Sequence, residues 1–193
     1  IPVSLSPDGT TIAWQGDEEL CLQVLNQAED CTALPENFST STPLLQWSPD
    51  GRYIAFQENA LLSFVDADMW RFDVEERTVV NLTDDGDAEF SVGPAETDTW
   101  MDTVMTWGPD NQIYLLRTAI EEGKESDDRT YELLRIDPDT GETSLIQDLT
   151  GIFLPFTVSY QGLFSLDGVM SVSPDATQLA ISVLEFERDS TNN

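Results

Sequence analysis

Four ten-residue stretches repeat along the chain, and they limit its possible folds more than any other feature. They are Leu5-Ser-Pro-Asp-Gly-Thr-Thr-Ile-Ala-Trp14, Trp47-Ser-Pro-Asp-Gly-Arg-Tyr-Ile-Ala-Phe56, Trp107-Gly-Pro-Asp-Asn-Gln-Ile-Tyr-Leu-Leu116 and Val172-Ser-Pro-Asp-Ala-Thr-Gln-Leu-Ala-Ile181, aligned without a gap. One unit used repeatedly implies stacked copies of a supersecondary motif, each burying its apolar face against a neighbour. Each copy reads as apolar strand, tight turn, apolar strand. Proline presets the first corner, and the Asp after it can accept hydrogen bonds from nearby backbone amides. Gly9 and Gly51 allow positive φ at little cost and Asn111 tolerates it, whereas Ala176 adopts it only with strain of about 1 kcal/mol. The runs Ile12–Trp14, Ile54–Phe56, Tyr114–Leu116 and Leu179–Ile181 are uninterrupted and apolar, which predicts strands covered on both faces.

Third strands are expected at Leu20–Leu25, Met69–Val74 and Tyr131–Ile136, and fourth strands around Cys31–Leu34, Thr78–Leu82 and Thr143–Leu149. Four antiparallel strands per unit, followed at once by the next unit, describe a β-propeller blade. The expected fold class is therefore all-β, a propeller of four-stranded antiparallel blades. Blades fall at about 1–42, 43–102 and 103–167, with a partial fourth at 168–184 and a polar tail at 185–193. A half blade leaves a sheet edge open, and an open edge invites aggregation. The expectation is that flanking residues of a longer polypeptide, or a partner, complete the ring, rather than that four blades close on themselves.

The motif resembles the turn of the TolB-like propeller family, W-S-P-D-G-x-x-I-A-F with a later aromatic-x-hydrophobic-Asp strand. The second copy, with Met69-Trp-Arg-Phe-Asp73 behind it, matches almost residue for residue, and the third and fourth copies are looser. The resemblance implies a propeller over essentially the whole chain. It says little about activity, because that family includes binding platforms, assembly proteins and gating domains.

The charge balance excludes several partners. There are 37 acids against 8 basic residues, giving a formal charge of −29, and Lys124 is the lone lysine. A phosphate backbone requires a basic stripe, so nucleic acid is excluded, and an anionic membrane surface is disfavoured for the same reason. Such acidity fits a solvated surface in a salty or cation-rich extracellular setting. No stretch is long and apolar enough to cross a bilayer, and no signal sequence stands at Ile1, so any export signal or anchor is expected upstream. Cys21 and Cys31 lie across one expected hairpin. They are either disulfide-bonded, which implies an oxidising compartment, or two free buried thiols. Asn37-Phe-Ser39 and Asn81-Leu-Thr83 fit the glycosylation triplet, a pattern short enough to arise by chance.

The chain has no histidine, which removes Ser-His-Asp and Cys-His catalysis and every imidazole metal site. Nucleophile-elbow, Walker and dinucleotide motifs are absent as well. Pairs of carboxylates are too numerous to single out a hydrolase.

Strand parity places the Ser-Pro-Asp turns and the 137–142 turn on one rim, and the long connections 57–68, 84–103, 118–130 and 150–168 on the other. Long loops on a rigid scaffold either bind or merely cover its open end. Asp84, Asp85, Asp87 and Glu89 offer oxygen ligands suited to Ca²⁺, or they serve local turn bonding; Asp66 and Asp68 are a weaker version. Phe153, Phe156, Tyr160 and Phe164, joined on that rim by Phe90 and Trp100, form either a plug or an apolar contact for a partner. The expectation is a non-catalytic extracellular or periplasmic module that presents this rim to a protein or polymer. The alternative is the gating propeller of a larger prolyl-oligopeptidase-like hydrolase whose catalytic domain lies elsewhere. A carboxylate- and Ca²⁺-using polymer-processing propeller is a third option. No cofactor is required, with Ca²⁺ the one candidate.

Overall fold

The structure, a computed structural model, describes residues 3–16, 18–35, 38, 45–57, 67–85, 97–124, 128–152 and 170–181. Its regular structure is almost entirely β. The first sheet orders β1 (Val3–Leu5), β2 (Thr11–Gln15), β3 (Glu19–Val24) and β4 (Asp30–Ala33) side by side. The second holds β5 (Gln46–Trp47), β6 (Tyr53–Gln57), β7 (Met69–Asp73) and β8 (Thr78–Asn81). The third holds β9 (Thr99–Trp107), β10 (Ile113–Ile120), β11 (Thr130–Ile136) and β12 (Thr143–Asp148), and β13 (Met170–Val172) pairs with β14 (Leu179–Ile181) in the fourth. All these pairings are antiparallel between neighbours in sequence. The expected third and fourth strands appear within a residue or two of their predicted bounds.

The repeated turn is closed by its own side chains. Ser6, Ser48 and Ser173 each donate through Oγ to the Asp two positions on, at 2.6 Å. Each Oγ also accepts the backbone N–H five residues later, at 2.9 Å. The same Asp accepts a further backbone N–H, from Thr10, Arg52 or Thr177. Local bonds of this kind hold a turn without help from the sheet. Gly9, Gly51, Asn111 and Ala176 all have positive φ, as the turn requires, with Ala176 at 55°.

The gapless alignment fails in the third copy. Leu5, Trp47 and Val172 pair with Ile12, Ile54 and Leu179, seven residues on, but Trp107 pairs with Ile113, six residues on. One turn residue is missing, so Ile113-Tyr-Leu115 corresponds to Ile54-Ala-Phe56. Tyr114 then occupies the place of an alanine. A Cβ on Gly108 would lie 2.5 Å from the Tyr114 ring, which explains glycine where the other copies carry serine.

Successive sheets stack face to face. Ala13, Leu20 and Leu22 of the first sheet pack on Ile54, Phe56, Trp70 and Phe72 of the second. Tyr53, Ala55 and Met69 on its other face meet Met105, Trp107, Ile113, Leu115, Leu134 and Ile136 of the third. Val104, Leu116, Tyr131 and Leu133 then face Met170, Leu179 and Ile181. The motif tryptophans tie the stack together. The Trp107 indole N–H donates to the Gln46 carbonyl at 2.9 Å, and that of Trp47 to the Ser4 carbonyl at 3.4 Å. Coverage on both faces holds for the middle sheets only. Ile54, Ala55 and Phe56 are wholly buried, whereas Val3 and Leu5 in the first sheet are 65% and 58% exposed, and Ala180 is also exposed.

Candidate functional site

Antiparallel order sends the β1–β2, β3–β4 and equivalent turns to one end of the sheets, and the remaining connections to the other. At the turn end, neighbouring sheets are clasped by polar contacts. Asn111 accepts the Asp50 N–H at 3.2 Å, and the Arg52 guanidinium meets Asp139 at 2.9 Å. Tyr53 donates its hydroxyl to the same Asp139, and Arg71 donates to the Pro138 carbonyl. Burial first, then the bonded Asp139, pushes the Tyr53 phenol up to about 12. These contacts close that end as a firm, short-turned surface.

The opposite end, where the long connections leave, contains a buried charge cluster between the second and third sheets. Arg117 on β10 stands at the centre. Its Nε donates to Asp102 Oδ1 at 2.8 Å and a terminal nitrogen to Oδ2 at 3.2 Å, a bidentate pair, and its other terminal nitrogen meets Asp85 at 2.7 Å. Asp102 on β9 is completely buried. Thr83 donates to Asp102 at 2.6 Å while accepting the Met69 N–H, and Gln57 donates to the Asp102 carbonyl. Asp68, just ahead of β7, accepts from Asn81 at 2.6 Å through Oδ2. Asp68 Oδ1 and Asp85 Oδ1 are buried with no hydrogen-bond partner.

Two carboxylates, Asp85 and Asp102, share the Arg117 guanidinium, and the charge of Asp68 is felt beside them. Burial is the main cause that raises Asp68 and Asp85 to about 6 each, with neighbouring carboxylates adding to the rise. Burial also raises Asp102, with the Arg117 guanidinium and the Thr83 hydroxyl opposing that rise. The cluster can hold and exchange protons near neutral pH.

Of the residues expected to bind Ca²⁺, the structure brings Asp85 into this cluster together with the weaker candidate Asp68. Asp84 lies beside them, and Asp66, Asp87 and Glu89 lie outside the described residues. Arg117 already supplies the neutralising cation on Asp85. Among the described residues, the one set of three ligand atoms close enough for a metal is Glu19 with Cys21 and Cys31, and both sulfurs are committed to a disulfide. Trp100 is half-buried and belongs to β9, opposite Ala119, rather than to a connection. The β9–β10 pair extends that far by continuing past a register shift at Leu116/Arg117. Phe90, Phe153, Phe156, Tyr160 and Phe164 lie outside the described residues. Cys21 and Cys31 face each other across β3 and β4 and are bonded, which resolves the disulfide alternative. Asn81 and Thr83, the described sequon, are both engaged in the cluster's own hydrogen bonds. No helix among the described residues is long and apolar enough to cross a membrane.

Sequence reasoning missed Asp102 and Arg117. The available signal was a lone arginine within the apolar run Ile113–Ile120, which must find an acid once that strand is buried.

No family model matches the chain, and no curated protein matches it. Among solved structures, it is similar to a protein of unknown function from Desulfotomaculum acetoxidans, at 13% identity and a TM-score of 0.45. That match covers 94% of this chain and 48% of the other, so the chain spans about half its length. A candidate TolB from Agrobacterium tumefaciens is similar at 12% identity and a TM-score of 0.23, covering 95% of this chain and 90% of that one. Likenesses at this level establish neither family nor activity.

Proposed function

We propose that the stacked sheets are blades of a TolB-like β-propeller that acts as a non-catalytic binding or assembly module. The long-connection end would meet a protein or polymer partner. The observation that carries this reading is the asymmetry between the two ends. One is sealed by self-bonded turns and the Asp139 clasp, while the other sends long connections out from a rigid, charge-clasped base, the usual arrangement for recognition. Contacts between the first strands of successive sheets, β1 with β5, β5 with β9 and β9 with β13, are those expected of innermost blade strands. The disulfide favours an extracellular or periplasmic setting.

Photo-crosslinking from Trp100 and, at the turn end, from Thr140 tests the reading. One defined adduct from Trp100 alone, reproduced with the purified partner, is the expected result. Adducts from Thr140 alone, or none from either position, would overturn it.

A further inference from the structure

The few basic residues of this chain are unevenly placed, and their placement bears on what the long-connection end can hold. At the turn end, Arg52 pairs with Asp73 and Asp139, Arg77 with Asp30 and Arg135 with Asp110, while Arg71 donates to the Pro138 carbonyl. Acids of the turns thus have bases beside them. At the long-connection end the two described arginines, Arg117 and Arg129, are buried. Among the described residues, Lys124 is the one exposed base there, against exposed Glu18, Asp84, Asp98, Glu121, Glu122 and Asp128. Connections 57–68, 84–103 and 150–168 contain no lysine or arginine, and 84–103 alone contains seven acids. A surface of one sign selects a partner of the other, both in encounter and in register.

Two further observations, separate from the acid count, point to a cation. Asp68, at the base of this end, is 8% exposed, and its Oδ1 has no hydrogen-bond partner. A buried acceptor in that state calls for a donor. Trp100 stands half-buried on β9 opposite Ala119, one pair from the end of the ladder, where Thr99 meets Ile120. The Glu122 N–H donates to Asp98 at 2.8 Å, which draws Asp98, Glu121 and Glu122 to that same ladder end. An indole bordered by carboxylates takes a cationic side chain, through its π face and through ion pairs.

We propose that the partner at this end contributes a basic, extended peptide segment, whose lysine or arginine side chains stack on Trp100 and pair with Asp98, Glu121 and Glu122. The inference rests on the reading of that end as the binding surface and adds the chemistry of the partner.

Fluorescence anisotropy with a labelled peptide of alternating arginine and serine tests it, at physiological salt, where diffuse attraction is screened. Glu121→Gln with Glu122→Gln should weaken binding about fivefold, and the matched exposed pair of the β7–β8 turn, Glu75→Gln with Glu76→Gln, less than about twofold. Trp100→Ala should weaken it about three- to fivefold. Absence of binding, or equal losses from the two glutamate pairs, overturns the proposal. So does displacement of the peptide by an equal concentration of spermine, which would assign the acids to a small cation. After any of these results, crosslinking from Trp100 to a neutral or acidic partner would still uphold the earlier reading. Peptide binding that depends on Glu75 and Glu76 alone would count against both.

Discussion

The junction between the first and second sheets and the junction between the second and third solve the same packing problem with different chemistry. The first is apolar and aromatic. Phe38 stands edge-on to both Phe56 and Trp70, with centroids 5.4 and 5.6 Å away. Its one deeply buried polar side chain on β2, Gln15, has neither amide atom bonded. The second junction has an apolar middle but is pinned at both ends, by Asp139 at the turns and by Arg117 at the long connections. There Gln57, at the same strand position as Gln15, has found the Asp102 carbonyl. An apolar junction tolerates sliding, whereas directional charge pairs set one register, so the second junction is the better base for a binding end.

Substitutions can break this contrast. Removing either anchor should have the largest effect. Phe56→Ala in the first junction should cost about 3–5 kcal/mol, from lost burial and the cavity left behind. Arg117→Ala in the second should cost a similar ~3–5 kcal/mol, because it strands a buried carboxylate. The two differ in rescue: adding Asp102→Asn should recover much of the Arg117→Ala loss in urea unfolding, and no single polar change should recover Phe56→Ala. Equal, unrescued losses would mean that the charge cluster is mere filler.

Next in size is the response to pH. Folded-state values raised above the ordinary 3.8 mean that the native cluster binds protons more tightly than the unfolded chain does. Its stabilisation is therefore complete below about pH 4 and is lost as pH rises through about 6, by up to ~3 kcal/mol for each group. The turn aspartates Asp8, Asp137 and Asp175 are lowered by their hydrogen bonds, so their contribution holds above pH 4 and fades below it. Melting temperature should rise from pH 7.5 to about 5 and fall in stronger acid. Asp68→Asn with Asp85→Asn should flatten the upper limb, and an unchanged limb would refute the assignment.

Replacing Cys21 and Cys31 by serine should cost about 3 kcal/mol, the loop-closure value for so short a span. Gln15→Met, which removes the unbonded amide while keeping its bulk, should stabilise by about 1–2 kcal/mol. The same change at Gln57 should destabilise. If both move alike, the two junctions differ less than their hydrogen bonds indicate.

The all-β architecture, the strand bounds and the positive-φ turn positions could be read from the sequence, because proline, aspartate and glycine punctuate every unit locally. The missing turn residue of the third copy could not, because Gly108-Pro-Asp-Asn111 preserves that punctuation and only the pairing of Trp107 with Ile113 reveals the change. The charge cluster was half visible. Asp85 and Asp68 stood out as loop acids, but Asp102 was one acid among 37, and its significance comes from Arg117, which reaches it across a strand pair. Contacts of that kind depend on register, and composition does not encode register.

The indole tethers of Trp47 and Trp107 also leave one junction weaker than the other two. At the same position the last repeat carries Val172, whose side chain has no N–H to offer the preceding sheet. Amides of β13 and β14 should therefore exchange with solvent before those of β5 to β12.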